Sequence, residues 1–116
     1  YILAIDTSGS ALSVALLDDE TIHAEVFLNT GVDHSLNLLP AIKYIYEQAG
    51  LNTDATDLFV CTIGPGSFTG LRIGVGTIKG LAMAVGKPVV GISSLEVLAA
   101  NIAPVSMNIC PMLDAQ

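Results

Sequence analysis

Residues 1–29 read YILAIDTSGSALSVALLDDETIHAEVFLN, which is three apolar stretches separated by two short polar turns. Residues 1–5 form an unbroken apolar run, whereas residues 11–17 and 21–29 carry an apolar side chain at every second position. A period of two is typical of a β-strand with one buried face. Because short polar turns join antiparallel neighbours, we predict a three-stranded antiparallel meander.

The pattern changes to a helical period after the meander. Leu38, Ile42, Ile45 and Ala49 recur at intervals of four, three and four, which predicts an amphipathic helix that ends at Gly50. The elements predicted after this helix are a strand over 58–63, a helix over 68–85, a strand over 88–92, a helix over 94–101 and a strand over 107–113. A meander followed by alternating helices and strands is typical of an α/β domain with a mixed sheet and packed helices.

The composition is both apolar and acidic. Of the 116 residues, 52% are hydrophobic and 13% are charged, which excludes a disordered chain. One small core cannot bury so many apolar side chains, so we expect part of the surface to be an interface. Eleven Asp and Glu against four Lys and Arg give a net charge of −7, so we do not expect this chain to bind nucleic acid on its own.

The sequence favours a cytoplasmic protein without a membrane segment. No run of about twenty mainly apolar residues predicts a spanning helix, and no secretory signal is visible. The two cysteines, Cys61 and Cys110, each lie in an apolar stretch. We therefore predict two buried, reduced thiols rather than a disulfide.

Two turns contain residue types that bind phosphate groups. Asp6 and its neighbours follow the first strand, where a carboxylate can hold a nucleotide phosphate through Mg²⁺ while hydroxyl and backbone N–H groups contact the phosphate. The sequence GPGSFTG at 64–70 precedes a helix, whose N-terminus can bind an anion. A nucleotide site here would comprise Asp6, Thr7, Ser8, Gly64 and Gly66. GPGSFTG matches neither the P-loop nor the dinucleotide fingerprint. Both segments also have the composition of ordinary turns, so the interpretation that they are turns without a ligand stays open.

The predicted second helix, with Ser67 as its N-cap, contains four glycines in two rows. Gly70 and Gly74 lie one turn apart, as do Gly76 and Gly80, and each costs the helix about 0.8–1 kcal/mol relative to Ala. Small residues at this spacing let another backbone approach closely. One interpretation is that the glycines pack tightly on the protein's own sheet. The other is that they contact a helix of a second chain. Because there are two rows, both interpretations can hold.

The sequence indicates neither nucleophilic catalysis nor a metal site. The two histidines, His23 and His34, do not belong to a recognisable nucleophile–base signature. His23 is predicted to lie on an exposed face of the third strand, and His34 is predicted to be a capping or surface residue at the start of the first helix. Two histidines and two separated cysteines lack the spacing of a metal site, so we expect no bound metal.

Three segments resemble the bacterial TsaB (YeaZ) family. They are ILAIDTS at 2–8, HSLNLLP at 34–40 and GPGSFTGLRIG at 64–74, of which the third is highly specific. The resemblance implies a lobe of the actin-like, heat-shock-chaperone-like and sugar-kinase-like ATPases, which begins with a three-strand meander. Since members of the family are longer than this chain, it also implies that residues 1–104 form a first lobe and residues 105–116 begin a second.

The resemblance further implies a role in making threonylcarbamoyladenosine in tRNA. In that family a TsaD-like transferase catalyses the transfer, the TsaB-like protein binds and activates it, and a TsaE-like ATPase is a third component. The catalytic relative carries two metal-binding histidines where this sequence has Ser94 and Leu98. Because neither residue replaces an imidazole ligand, we expect a non-catalytic subunit without a cofactor, which contacts tRNA only through the complex.

The apolar stripe of the first helix and the glycine rows of the second predict an interface. The resemblance implies that family members self-associate and bind the TsaD-like partner in this region. The residues expected to take part are Leu38, Leu39, Ile42, Ile45, Tyr46, Gly70, Gly74 and Thr77. On this expectation Gly74→Leu or Ile45→Asp abolishes both homodimer and heterodimer and leaves the fold intact. Two other functions stay open: a nucleotide-binding phosphotransferase that uses Asp6 and the Gly64 loop, and a glycoprotease-like peptidase.

Overall fold

The computed structural model describes residues 1–29, 31, 33–102 and 104–114. Its strands are β1 (Ile2–Asp6), β2 (Leu12–Leu17), β3 (Ile22–Leu28), β4 (Leu58–Thr62) and β5 (Val89–Ile92). Its helices are α1 (His34–Ala49), α2 (Phe68–Val85) and α3 (Ser94–Ala100), with a short 3₁₀ turn at Thr53–Ala55. The predicted order of strands and helices is confirmed as far as α3.

The sheet has the strand order β3-β2-β1-β4-β5. β1, β2 and β3 pair antiparallel, whereas β4 is parallel to β1 and β5 is parallel to β4. The predicted meander and the mixed α/β sheet are thereby confirmed. Because β1 and β4 are parallel neighbours, the segments that follow them leave the sheet at the same edge, where open α/β sheets carry their ligand sites.

The core lies between one face of the sheet and the helices α1 and α2. Leu3 of β1 is opposite Leu16 of β2 and Phe59 of β4, and all three side chains are fully buried. α1 contacts β2 and β3, while α2 contacts β4 and β1. Each large apolar side chain buried in this way stabilises the fold by about 1.5–3 kcal/mol. This core holds the sheet against α1 and α2.

Both long helices have capped ends. The carboxylate of Asp33 accepts a hydrogen bond from the backbone N–H two residues on, and the hydroxyl of Ser67 accepts one from the N–H three residues on. Gly50 and Gly86 end the helices with φ of 66°, a left-handed conformation that favours glycine. Ser67 is therefore confirmed as a cap, whereas His34 is the first residue of α1 and not its cap.

Residues 107–113 do not form the strand that the sequence predicts. Met107 is 77% and Met112 is 79% exposed, and no described strand of the sheet pairs with this segment. A strand needs a hydrogen-bonded neighbour, which an apolar run alone does not supply. Cys110 in this segment is exposed while Cys61 is buried, so the prediction of two buried thiols is wrong for Cys110.

Helix α2 is long and apolar enough to cross a membrane by length and composition alone, with a mean hydropathy of 1.2 over 18 residues. This finding corrects the expectation that no segment reaches that threshold. Its inner face packs against the sheet and α1, where Gly70, Gly74, Ile78 and Ala82 are buried. In this fold α2 is a layer on the sheet.

Candidate functional site

The turn after β1 and the loop between β4 and α2 form one structural unit. The backbone N–H of Ser67 donates to the carbonyl oxygen of Ser8 at 2.7 Å. Gly66 permits this approach, because a Cβ atom there would lie 2.3 Å from the same oxygen. The structure therefore brings together the two segments that the sequence singles out for phosphate binding.

Asp6 organises this unit through one carboxylate oxygen. Its Oδ1 accepts hydrogen bonds from the backbone N–H of Ser8 at 2.9 Å, from the Ser8 hydroxyl at 2.7 Å and from the Thr62 hydroxyl at 2.9 Å. The third bond joins β1 to β4. Sequence reasoning missed Thr62, because only the parallel pairing of the two strands reveals that its hydroxyl lies beside Asp6. The Asp6 carboxylate therefore stabilises the turn after β1 and its contact with β4.

Thr7 closes the contact between the turn and α2. It is 1% exposed, and its hydroxyl donates to the carbonyl oxygen of Gly70 at 2.7 Å. A Cβ at Gly70 would lie 2.1 Å from the Thr7 carbonyl oxygen, and one at Gly74 would lie 2.2 Å from the Thr7 hydroxyl oxygen. The first glycine row therefore packs on the protein's own sheet. The expectation that Gly74→Leu leaves the fold intact is wrong, because the larger side chain has no space there.

An open cleft of about 1120 Å³ lies in front of the unit. It is lined by Ser8, Gly9, Ser10, Pro65, Gly66, Ser67, Leu95 and the segment 111–114. Of the five residues predicted to bind a nucleotide, Ser8 and Gly66 line the cleft, whereas Asp6, Thr7 and Gly64 do not. Asp114 is the charged residue among the described lining residues, so they supply no cation to a phosphate. Nucleotide binding stays a prediction.

α3 begins beside the same loop. Gly64 has φ of 105°, and its carbonyl oxygen accepts a hydrogen bond from the N–H of Ser94 at 3.0 Å. The hydroxyl of Ser94 is buried without a hydrogen-bond partner among the described residues, and Leu98 is 39% exposed. A hydroxyl and an aliphatic group do not form a metal site. Within the described part of the chain, no three His, Cys, Asp or Glu side chains lie close enough to hold a metal ion.

His34 is buried, which corrects its prediction as a capping or surface residue. It is 8% exposed, and its Nε2 lies 2.8 Å from the carbonyl oxygen of Gly9. Because a carbonyl only accepts, Nε2 carries the proton and donates it. A Cβ at Gly70 would lie 3.2 Å from His34 Cδ2, so the ring also packs against α2. His34 thus ties α1 to both the β1–β2 turn and the start of α2, a role that no sequence pattern indicated.

Four residues predicted at a partner interface belong to the core. Leu38, Ile42, Ile45 and Tyr46 are all buried, because the apolar stripe of α1 faces β2 and β3. A stripe at intervals of three and four identifies the buried face of a helix, but not the surface that covers it. The expectation that Ile45→Asp leaves the fold intact is therefore wrong, since the change would bury an unpaired carboxylate in the core.

The opposite surface of the two helices is open. Leu39 is 55% exposed and Thr77 is half-buried. A Cβ at Gly76 or Gly80 would meet nothing within 4 Å. A groove of about 710 Å³ that contains Leu39 and Leu81 separates the helices. We refer to the surface of Leu39, Gly76, Thr77 and Gly80 as the outer helix face. The first glycine row packs on the sheet, and the second lies open on this face.

Comparisons with known proteins identify similar chains. The family described as TsaD, tRNA N6-adenosine threonylcarbamoyltransferase, matches residues 28–116. The tRNA threonylcarbamoyladenosine biosynthesis protein TsaB of Bacillus subtilis is 39% identical over 115 residues, which are 99% of this chain and 50% of that protein. TsaB of Escherichia coli is 40% identical over 98 residues, which are 84% of this chain and 42% of that protein.

A solved structure agrees with these sequence matches. YeaZ from Pseudomonas aeruginosa has a TM-score of 0.80 and 38% identity, and the match covers 86% of this chain and 46% of that one. The fold expected from the resemblance is confirmed. The chain spans about half the length of the curated relatives it matches. The division into lobes at residues 104 and 105 stays a prediction, and residues 115 and 116 lie outside the described part of the chain.

Proposed function

Because the chain belongs to the TsaD family and, within it, to the TsaB (YeaZ) group, we propose that it acts in the synthesis of threonylcarbamoyladenosine in tRNA. The observation that carries the proposal is 39–40% identity with two proteins named TsaB over most of the chain. The proposed role is that of a non-catalytic cytoplasmic subunit, which binds and activates a TsaD-type transferase. A TsaE-type ATPase is the third component of the proposed complex.

Two features support a non-catalytic role. Ser94 and Leu98 stand where the resemblance puts the metal-binding histidines of the transferase, and neither side chain can replace an imidazole. In addition, Asp6 and Thr7 are engaged in hydrogen bonds that hold the turn to β4 and α2. The chain therefore contributes a surface and not a reacting group.

The outer helix face is the proposed contact surface. At Gly76 and Gly80 a partner helix can approach the backbone of α2 closely, because no Cβ atom keeps the two helices apart. Leu39 of α1 supplies exposed apolar area in the groove between α1 and α2. The same surface would serve a homodimer when the transferase is absent, so the two associations compete.

A reconstituted modification reaction tests this proposal. The chain, a TsaD-type transferase, a TsaE-type ATPase and tRNA are combined with the threonylcarbamoyl donor. We expect modification when all proteins are present and none with this chain alone. Modification by the chain alone would contradict the non-catalytic role, and failure to bind the transferase in a pull-down would contradict the partnership.

A matched pair of variants tests the contact surface in the same assay. Gly76→Leu places a large side chain in the proposed helix crossing, so we expect it to weaken transferase binding by about tenfold or more. Gly76→Ala adds only a methyl group and serves as the control for helix propensity. Unchanged binding of the folded Gly76→Leu and Gly80→Leu variants would place the contact elsewhere.

A further inference from the structure

Strand β5 is an edge of the sheet with one unpaired side. Phe59 N donates to Pro88 O and Ile63 N donates to Ile92 O, both at 3.0 Å, so these two carbonyl groups face β4. Successive residues of a strand direct their backbone groups to opposite sides. The N–H and C=O groups of Val89 and Gly91 therefore face away from β4. Among the described residues no strand pairs with that side, which leaves a template for an added strand.

An apolar groove of about 400 Å³ lies between this edge and α2. The apolar side chains that line it are Cys61, Ile63, Val75, Ala82, Met83 and Val89. Ile63 is 58% and Met83 is 81% exposed, so the groove presents apolar surface to solvent. A strand paired with β5 would direct every second side chain towards the α2 side of the sheet, where the groove lies.

The groove is the cationic site of an acidic chain. Lys79 and Lys87 line it, which are two of the four Lys and Arg residues in the sequence, and no Asp or Glu belongs to its lining. Lys87 Nζ lies 3.6 Å from a carboxylate oxygen of Asp57, but this pair is exposed to solvent and therefore weak. Lys79 has no ion pair within the described part of the chain.

We propose that the β5 edge and its groove bind an extended acidic segment of another protein. Its backbone pairs with Val89 and Gly91, and one apolar side chain enters the groove. Acidic residues two positions before and after that side chain lie on the same face of the added strand, because side chains alternate with a period of two. They therefore meet Lys79 and Lys87, and the recognised pattern is Glu-x-Val-x-Glu, with Asp or another aliphatic residue in the equivalent places.

The charge distribution favours such a segment over a second copy of this chain. Pairing of two β5 edges would bring Lys79 and Lys87 of both copies to one junction, and like charges at an interface oppose association. An acidic segment removes that repulsion. The proposal is independent of the role in tRNA modification, because it uses neither the outer helix face nor the turn after β1.

A synthetic peptide tests the proposal. The probe is a fluorescein-labelled, terminally blocked Thr-Glu-Thr-Val-Thr-Glu-Thr, and its control carries Lys in place of both Glu residues. Each is titrated with the 116-residue chain in fluorescence anisotropy. We expect saturable binding of the acidic peptide that weakens as salt is added, and binding of the Lys peptide at least about tenfold weaker. No binding of the acidic peptide, or equal binding of both, overturns the proposal.

Three variants separate backbone pairing from charge. Val89→Pro removes an N–H that β4 does not use, and Lys79→Glu reverses a charge on the surface of α2. We expect each of these two variants to weaken binding of the acidic peptide by about tenfold or more. Lys43→Glu, an equal charge reversal on α1, should leave that binding unchanged. Circular dichroism checks that each variant is folded. Unchanged binding in both test variants, or a dimer in sedimentation that Val89→Pro dissociates, overturns the proposal.

Discussion

The glycines of α2 show how the surroundings of one residue decide the effect of one methyl group. All four lie within α2, and each lowers the intrinsic stability of the helix relative to Ala. Gly70 and Gly74 touch Thr7 so closely that no side chain fits, whereas Gly76 and Gly80 face open space. The same substitution should therefore have opposite effects on stability in the two rows.

Gly74→Ala and Gly76→Ala form the corresponding pair of tests. We expect Gly74→Ala to lower the free energy of unfolding by about 1–3 kcal/mol, because its Cβ would overlap the Thr7 hydroxyl. Gly76→Ala should raise it by about 0.5–1 kcal/mol, because Ala favours the helix and meets no neighbour. Urea unfolding measures both, and equal changes of the same sign would show that the packing around Thr7 is not as close as described.

The two cysteines should differ strongly in reactivity. Burial raises the pKa of the Cys61 thiol and shields it, whereas Cys110 is exposed. With a thiol-reactive disulfide at neutral pH, we expect Cys110 to react quickly with one equivalent of reagent. Cys61 should react with a second equivalent only when the protein is unfolded. Cys110→Ser should abolish the fast phase and Cys61→Ser should not. A fast phase that survives in Cys110→Ser would contradict the burial of Cys61.

At the scale of elements, the β2–β3 turn is stabilised by a single carboxylate. Asp18 accepts hydrogen bonds from the backbone N–H groups of Glu20 at 2.9 Å and Thr21 at 2.8 Å, and its second oxygen lies 2.7 Å from Nε2 of His23. The bond from Glu20, then those from His23 and Thr21, lower the pKa of Asp18 from 3.8 to about 2. The ionised carboxylate is therefore part of the folded turn.

This turn predicts a measurable pH dependence. A carboxyl group whose pKa is lower in the folded state stabilises the fold above its unfolded pKa, near 3.8, and loses that effect as the pH falls towards 2. We expect Asp18→Asn to flatten the fall in stability between about pH 4 and pH 2. Asp19→Asn, one residue further along the exposed turn, is the control and should keep the wild-type slope. Identical slopes for both variants would contradict the role of Asp18.

The sequence predicted elements better than surfaces. Periodicity and caps defined the strands up to β5 and the span of α2 because these signals are local, and the apolar run at 107–113 failed because a strand also needs a neighbour. The prediction of an interface at the buried stripe of α1 is wrong, since a periodic stripe does not reveal which surface covers it. The sequence does not predict the roles of His34 and Thr62, because their partners, Gly9 and Asp6, are distant in sequence.

At the scale of the whole molecule, electrostatics should keep tRNA off this chain. The net charge is −7, and the four cations are spread over three places: Lys43 beside Glu47 on α1, Arg72 over the ring of Phe68, and Lys79 and Lys87 at the groove beside β5. Dispersed cations do not neutralise a phosphate backbone. The surface therefore lacks the basic patch that nucleic-acid binding requires.

A titration of labelled tRNA with the chain, at physiological salt, checks this expectation. We expect no specific binding by gel shift or anisotropy, and binding only after a TsaD-type transferase is added. The control is the same titration with the transferase alone. Submicromolar affinity for the isolated chain would contradict the electrostatic interpretation.

The position of β1 in the sheet also favours one order of folding. β1 pairs with β2, and β2 with β3, within the first 28 residues, whereas the other side of β1 has no partner until β4 is made, where Leu58 pairs with Ile2. Closing so long a loop is slower than forming a hairpin. During synthesis the meander can therefore assemble first, with the inner edge of β1 unpaired until β4 has left the ribosome. An open central strand invites pairing with other chains, so this interval is when the nascent protein most needs a chaperone.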